Sequence, residues 1–416
     1  MPAFQTSPGM RDILPAESVR WRGLNRVFAD VVESAGYGQV ITPLIEDVGV
    51  FTRIGEATDV VTKELYAFED RGGRQVSLRP ELTASVCRAF AQHRPAALPW
   101  KVWYSGPNFR QEKAQRGRYR QFDQVGVEVL GVDDPNLDVE VIALARDFYA
   151  RLGLQQVTLV LNSLGEPEDR AAYVEALRTH FESAELTEQS QTTLAKNPLR
   201  VLDSKREPDF PAIAAAPKIS EFYSEEAAAH FATVQAGLTR LGIDFVVEPK
   251  LVRGLDYYRR TIFEFRGGTL DSAQNALGGG GRYDGLVEAL GGPATPGIGF
   301  ALGVDRTLLA CDDEGVFPSA PTQLDAFVVD VVGGEEALAI TAELRAAGFA
   351  ADRGYGNRSM KAQMKLANRS EANFAIIVGD DELAQNNVIV RPMSRDGGDQ
   401  QSISRSDLIS HLKDLS

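Results

Sequence analysis

The sequence predicts an α+β protein whose larger N-terminal region precedes a small, separate α/β module. Three observations carry this. The stretch 103–131 reads strand, loop, strand: an apolar run, a polar loop, then alternation at Phe122, Val125, Val127 and Val129. Residues 16–35 and 136–152 carry apolar side chains at helical spacing. Beyond a linker at 310–324 that contains Asp312, Asp313, Pro318 and Pro321, strands again alternate with helices to the end of the chain.

Composition sets the bounds. A chain of 416 residues is long enough for two or three domains with a sizeable core. The net charge of -14 argues against a general nucleic-acid coat, because non-specific binding rests on basic charge, yet it leaves room for local basic patches. Cys87 and Cys311 are the only cysteines, and His93, His180, His230 and His411 lie far apart. A disulfide framework, a zinc site and a histidine-based triad are therefore not expected. The first fifteen residues lack an apolar core segment and no membrane span is visible, so the cytoplasm is the expected compartment.

The basic hairpin is the most informative stretch. Its loop holds Arg110, Lys113, Arg116, Arg118 and Arg120 against the single acid Glu112. On an acidic chain such a cluster calls for an anionic partner, with phosphate the usual one, though a solvated hairpin tip is the plain alternative. In the second strand Asp123, Val125, Val127 and Val129 share one face, and Gln124, Gly126 and Glu128 the other. With Gly126 between an amide and a carboxylate, that face is expected to leave room for a small ligand.

The remaining elements follow in order. A helix over 16–35 stops at Gly36, and the next segment, 37–47, is a strand broken by Pro43, suited to a sheet edge or a subunit boundary. Residues 63–74 form a strand and a glycine turn. Then come a strand, the Arg79-Pro80 turn, and a helix from about Thr83. Glu81 and Thr83 sit where that helix begins, a common binding position; a capping pair is the plainer reading. From 165 to about 241 the composition shifts to Ala, Glu and Gln with several prolines, giving helices at 170–183 and 224–241 with irregular structure between.

The segment 245–268 returns to strand. Arg253, Gly254, Asp256, Tyr257 and Tyr258 there are too polar to bury without partners, which suggests a pocket wall. Four glycines, Gly278 to Gly281, permit close approach of a ligand or form a plain loop. Gly297, Gly299 and Gly303 lie in an apolar strand, with Arg306 just inside the following helix. In the C-terminal module, Arg358, Lys361, Lys365 and Arg369 line one face of a helix in a stretch without acids, which points to an anionic partner such as a nucleic acid.

Several of these stretches resemble one family. LVRGLDYY (251–258) and GGGGRYDGL (278–286) are similar to the two signature motifs of histidyl-tRNA synthetases. FRQEKAQRGRYRQF resembles the second class II synthetase motif, with its arginine at Arg110; GIGFALGVDRTLL resembles the third, with Arg306; GYGQVITPLIED resembles the first, which lies at the dimer interface in that class. LRPELT is similar to the family's amino-acid site. The resemblance spans the whole chain.

It implies a class II antiparallel sheet flanked by helices in residues 1–320, a helical insertion at about 165–241, and an α/β anticodon-binding domain at 325–416. It implies a homodimeric enzyme that joins L-histidine to tRNA(His) with ATP, using Mg2+ brought by the triphosphate and no protein cage for the metal. Glu81, Thr83 and Gln124 would hold the α-amino end of histidine, and Glu128 and Tyr258 its imidazole, in a pocket lined by Tyr257 and Tyr283. Arg110 and Arg253 would clamp the α-phosphate as the catalytic pair, Arg306 would take the γ-phosphate and adenine face, and Glu112 the adenine. Lys113, Arg116, Arg358, Lys361 and Lys365 are the candidates for tRNA.

Two positions depart from the family pattern. Lys113-Ala114 stand where an Arg-Pro pair is frequent in the loop that approaches the acceptor end of the tRNA, and lysine offers a point charge where arginine offers a fork. Asp123 stands where bacterial members often carry histidine; a change of packing is expected there. The alternative reading is the regulatory subunit of ATP phosphoribosyltransferase, a paralogue that lacks the C-terminal domain and loses signature residues. Here the C-terminal module and Arg110, Arg253 and Arg306 are all present.

Overall fold

A computed structural model describes residues 4–53, 61, 63–254, 257–270, 275–319, 323–356, 358–393 and 399–415. Asp256, named above for the pocket wall, lies outside the described residues. The chain forms two compact units, Met1–Ser319 and Ala320–Ser416.

The first unit is organised around an eight-stranded sheet. Its strands are β1 (Gly38–Gln39), β5 (Trp100–Phe109), β6 (Gln121–Leu130), β7 (Val157–Ser163), β8 (Val246–Val247), β9 (Arg259–Gly267), β10 (Ala276–Arg282) and β11 (Gly297–Gly303). They lie in the order β1-β5-β6-β11-β10-β9-β7-β8. Only the outer pairs β1/β5 and β7/β8 are parallel; every inner pair is antiparallel. A separate three-stranded sheet, β2-β4-β3, is built from β2 (Ile45–Asp47), β3 (Tyr66–Glu69) and β4 (Gln75–Leu78).

Period-two alternation divides the large sheet into two faces. Val125, Val127 and Val129 of β6 pack with Phe263, Phe265 and Phe300 in one cluster. The helices Pro15–Ser34, Pro135–Arg151 and Glu225–Arg240 cover it with Leu24, Phe28, Phe148 and Val234. Each helix starts where the chain dictates. Pro15 and Pro135 occupy the first helical turn, and the Asp134 carboxylate accepts from Asn136 N at 2.8 Å. The opposite face packs Leu130, Ile262 and Tyr283 against Ala84, Cys87 and Phe90 of the helix Thr83–His93, and it carries the site.

The structure revises four sequence expectations. The glycine run is not a plain loop but part of β10, paired on both sides by β9 and β11. The strand expected over 245–268 is confined to β8 and β9, and the residues described between them form a loop. The stretch between the two expected insertion helices contains a further helix, Glu188–Lys196, capped by Thr187; it buries only Ser190 and Leu194, too few for its period to show. The linker expected from 310 begins later, because the helix Val304–Glu314 runs on to Gly315, whose φ of 68° ends it.

In the second unit β12 (Ala326–Asp330), β13 (Ala351–Arg353), β14 (Phe374–Val378), β15 (Asn387–Pro392) and β16 (Gln401–Ser404) form a mixed sheet in the order β13-β12-β14-β15-β16. Helices Glu335–Ala346 and Leu408–Leu415 pack Ile340, Leu344, Leu408 and Leu412 against one face, and Met360–Arg369 packs Ala367 against the other.

Candidate active site

The alternation of β6 turns Glu128 away from the valines, into the face covered by the helix Thr83–His93. Glu128 is completely buried, and its carboxyl accepts from Thr83 Oγ1 at 2.6 Å, Tyr104 OH at 3.1 Å and Tyr283 OH. Burial pushes it up to about 8, while the Thr83, Tyr283 and Tyr104 hydroxyls hold it down. Gly299 on the neighbouring strand makes this possible: a Cβ there would stand 1.8 Å from Glu128 Oε2. The expected open space at Gly126 is not open. Tyr104, opposite it in the β5/β6 register, fills it, and a Cβ on Gly126 would lie 2.5 Å from the Tyr104 hydroxyl.

Around this carboxyl stand the other residues that the resemblance implies for an amino acid. Glu81 is buried and caps the helix, accepting from Thr83 N at 2.9 Å and Ala84 N at 2.7 Å. Tyr257 lies 4.6 Å from Tyr258 and 5.8 Å from Tyr283, ring centre to ring centre. Burial, then the proximity of Tyr258, Glu81 and Glu128, raises the Tyr257 phenol well above its usual value. Gln124 Oε1 accepts from Asn108 Nδ2 at 2.8 Å.

Next to this cluster is a cleft of about 250 Å³ whose walls include Arg110, Arg118, Gln124, Arg253 and Arg306. Arg110 is oriented by Nε donation to Pro80 O at 2.9 Å and by stacking on Phe122 at 5.2 Å. Arg253 donates from Nη1 to Glu264 at 2.7 Å, and its buried Nε has no hydrogen-bond partner among the described residues. Gly279 lets this guanidinium lie flat on β10, where a Cβ would come within 2.9 Å of Nη1. Arg306 is anchored to Ala276 O at 2.8 Å and Gly117 O at 3.3 Å. Burial, then Arg118 and Arg110, lowers the Arg306 guanidinium from its usual value. Like charges this close, partly removed from water, call for an anion.

Glu112, one of three carboxyls in this lining with Asp123 and Asp305, is paired with Arg118 and lies 3.8 Å from Arg110. Asp123 borders the same cleft with its carboxyl near Asp305, Arg79 and Arg11; burial and then Asp305 push it up to about 6. The cleft's Arg110, Arg118 and Arg253 also border a wider basin of about 1350 Å³, whose far wall includes Lys196, Lys205 and Arg206. Lys113 and Arg116 are exposed on the hairpin, Arg116 lying 3.2 Å from Asp313. Arg358, Lys361 and Lys365 are exposed in the second unit, the lysines on the helix Met360–Arg369.

The arrangement is thus a cleft lined by four arginines next to a buried carboxyl ringed by hydroxyls. Residues 9–307 match the family model for histidyl-tRNA synthetase, and 325–415 that for an anticodon-binding domain. The chain belongs to the histidyl-tRNA synthetase family. It is 44% identical to the histidine–tRNA ligase of Geobacillus sp. (strain WCH70), over 99% of both chains, and 45% identical to that of Corynebacterium urealyticum, over 97% of this chain and 95% of the relative. The apo histidyl-tRNA synthetase of S. aureus superposes with a TM-score of 0.83 at 37% identity, covering 99% of this chain and 100% of that one. The fold is the class II synthetase sheet flanked by helices, followed by an anticodon-binding domain.

Among synthetase residues that sequence reasoning did not single out are Tyr104 and Glu264. Tyr104 reveals itself only through the β5/β6 register. Glu264, which joins Arg253 to Arg266 at 2.7 and 2.8 Å, looked like one more polar residue in a strand.

Proposed function

We propose that this chain, a histidine–tRNA ligase by family, performs both steps of tRNA(His) charging at the cleft between Glu128 and Arg306. The observation that carries the reading is the convergence of Arg110, Arg118, Arg253 and Arg306 on one cleft beside the Thr83–Glu128–Tyr283 cluster. Arg110 links the two: burial lowers its guanidinium, and the nearby carboxylates of Glu64 and Glu81 offset part of that desolvation.

In the first step the carboxylate of histidine, ionised at neutral pH, attacks the α-phosphorus of ATP and pyrophosphate leaves. No protein base is required. The chain supplies positioning and positive charge for the pentavalent centre. Arg110 and Arg253 clamp the α-phosphate, Arg306 takes the γ-phosphate and the adenine face, and Glu112 meets the adenine. Glu81, Thr83 and Gln124 hold the amino end of histidine. Glu128 and Tyr258 grip the imidazole, whose two nitrogens suit a carboxylate and a phenol, while Tyr257 and Tyr283 wall the pocket. In the second step a hydroxyl of the terminal ribose attacks the acyl carbon and AMP leaves. Lys113 and Arg116 are suited to the acceptor end, and Arg358, Lys361 and Lys365 to the anticodon arm. Residues 1–320 serve as the catalytic domain and 325–416 as the anticodon-binding domain; of the insertion expected over 165–241, the part before the helix Glu225–Arg240 has its own core, whereas that helix packs on the central sheet.

Mg2+ enters with ATP. Among the described residues no three acidic, histidine or cysteine side chains are grouped to hold a metal, and the Glu264 carboxylate beside Arg253 is taken by two arginines. A homodimer is supported by the apolar edge around Pro43, where Ile41 is 83% exposed and Leu44 and Ile45 about half exposed. No described helix is long and apolar enough to cross a membrane, and the cytoplasm, where tRNA is charged, is the compartment that fits.

ATP–pyrophosphate exchange with each amino acid in turn tests the reading. Exchange with histidine alone is expected. No exchange with any amino acid would instead favour the regulatory paralogue of ATP phosphoribosyltransferase.

A further inference from the structure

The insertion between β7 and the helix Glu225–Arg240 has a core of its own, formed by Tyr173, Leu177, Phe181, Leu199 and Val201. Asp169 closes its base by accepting from Ser224 N and Oγ, both at 3.0 Å. Among the described residues, one from outside the insertion joins that core. It is Val252, the neighbour of Arg253.

The same stretch is also held through its backbone. Arg200 of the insertion donates from Nη2 to Gly254 O at 3.3 Å, directly after Arg253. Arg170, in the insertion's first helix Pro167–Glu182, donates from Nη1 to Tyr258 O at 3.2 Å. Leu251, next to Val252, packs on the other side, with Tyr258 and Tyr283 of the buried-carboxyl cluster. Beyond Tyr258, Arg259 and Arg260 both pair with Glu166, the N-cap of that same helix. Loops on a catalytic domain are ordinarily fixed by their own strands. Here the backbone on either side of Arg253 and Tyr257 is fixed by a subdomain that contributes no side chain assigned to ATP or histidine.

We propose that the insertion acts in the first half-reaction, before tRNA arrives, with Arg170 and Arg200 as positioning residues for amino-acid activation. Arg200, through Gly254 O, sets where the Arg253 guanidinium meets the phosphate. Arg170, through Tyr258 O, sets the ring of Tyr258 against the imidazole. The inference rests on the synthetase reading above and deepens it.

The test is ATP–pyrophosphate exchange by the full chain without tRNA, with histidine and ATP varied separately. Arg200→Ala is expected to lower kcat about tenfold with the KM for histidine near that of the parent, because Arg253 works on the transition state. Arg170→Ala is expected to raise the KM for histidine about five- to tenfold with a smaller change in kcat. Arg170→Lys, which keeps a charged donor, should recover most of that loss. A purely structural role would lower the melting temperature and, through the folded fraction, the apparent kcat of both alanine variants alike, with the KM for histidine unchanged in Arg170→Ala and no rescue by lysine, and would overturn the proposal. So would exchange equal to the parent's in both alanine variants with only tRNA charging reduced. Absence of exchange in the parent chain would overturn the synthetase reading and the inference with it.

Discussion

The hydroxyl of Thr83 lies 2.6 Å from Glu128 Oε1, joining the first turn of a helix to the middle of the central sheet. With Tyr283 and Tyr104 it surrounds a carboxyl that burial has pushed up to about 8. Burial thus favours the protonated form of this group near neutral pH, and an imidazole N–H offered to it favours ionisation.

Glu128→Gln keeps the shape but removes the charge, and its NH2 cannot accept from the hydroxyl that donates to that side of the carboxyl. Hydrogen bonds to charged groups contribute about 1.5–3 kcal/mol, so the KM for histidine should rise about ten- to a hundredfold. Between pH 7 and 9 the parent's KM should fall as Glu128 ionises, whereas the variant's should stay flat. A variant that follows the parent's pH profile would remove Glu128 from histidine recognition.

Gly299→Ala tests the packing beneath the same carboxyl. The added methyl would stand 1.8 Å from Glu128 Oε2 and 2.3 Å from Val127 O, and the latter is backbone in the middle of a sheet that cannot move aside cheaply. Overpacking of this kind costs about 3 kcal/mol, which corresponds to a fall of several degrees in melting temperature. Exchange activity should be lost at temperatures where the variant is still folded. Melting and exchange measured on one sample would show whether the two effects separate.

Asp123 gives the pH dependence of stability a definite sign. Its folded value of about 6 lies above the usual 3.8, so the fold disfavours the ionised form. The stability linked to this group is fully present below about 3.8 and is lost as pH rises through about 6. Asp123→Asn cannot ionise and should be more stable than the parent at pH 8, by about 1–2 kcal/mol of the roughly 3 kcal/mol that the displacement represents. The difference should shrink towards pH 4. Thermal melts at pH 4, 6 and 8 would decide it, and a constant gap across that range would refute the assignment.

How much of this site was legible in the sequence depends on what kind of interaction builds each part. Glu128, Gln124 and the valines between them are placed by period-two alternation, which local sequence carries, and β6 distributes them as that period requires. The basic loop residues Arg110 and Arg118 announced an anion by charge alone, and they border the cleft. Tyr104 was invisible, because only the register that sets it opposite Gly126 brings it to Glu128. The run Gly278 to Gly281 misleads for a different reason. Glycine is a poor strand former, yet here the neighbouring carbonyls, Phe300 Cα and the Arg253 guanidinium come so close that only glycine fits, and tertiary packing overrides propensity. The insertion's hold on Gly254 and Tyr258 joins side chains to backbone carbonyls more than fifty residues away, and a sequence offers no sign of it.

The last prediction concerns the second unit. Lys361 and Lys365 are exposed one helical turn apart on Met360–Arg369, and Arg358 and Arg369 are exposed near its two ends. On a chain with a net charge of -14, a surface of one sign persists only where something opposes general acidity, and a phosphate backbone does so. Replacing both lysines by glutamate should weaken tRNA(His) binding about tenfold or more and make the dependence of log affinity on log salt shallower by about two. ATP–pyrophosphate exchange should be unchanged, since the substitutions lie outside the catalytic unit. The two readouts separate the alternatives: weaker binding with intact exchange places this helix against RNA, whereas unchanged affinity at every salt concentration would leave it a solvated face.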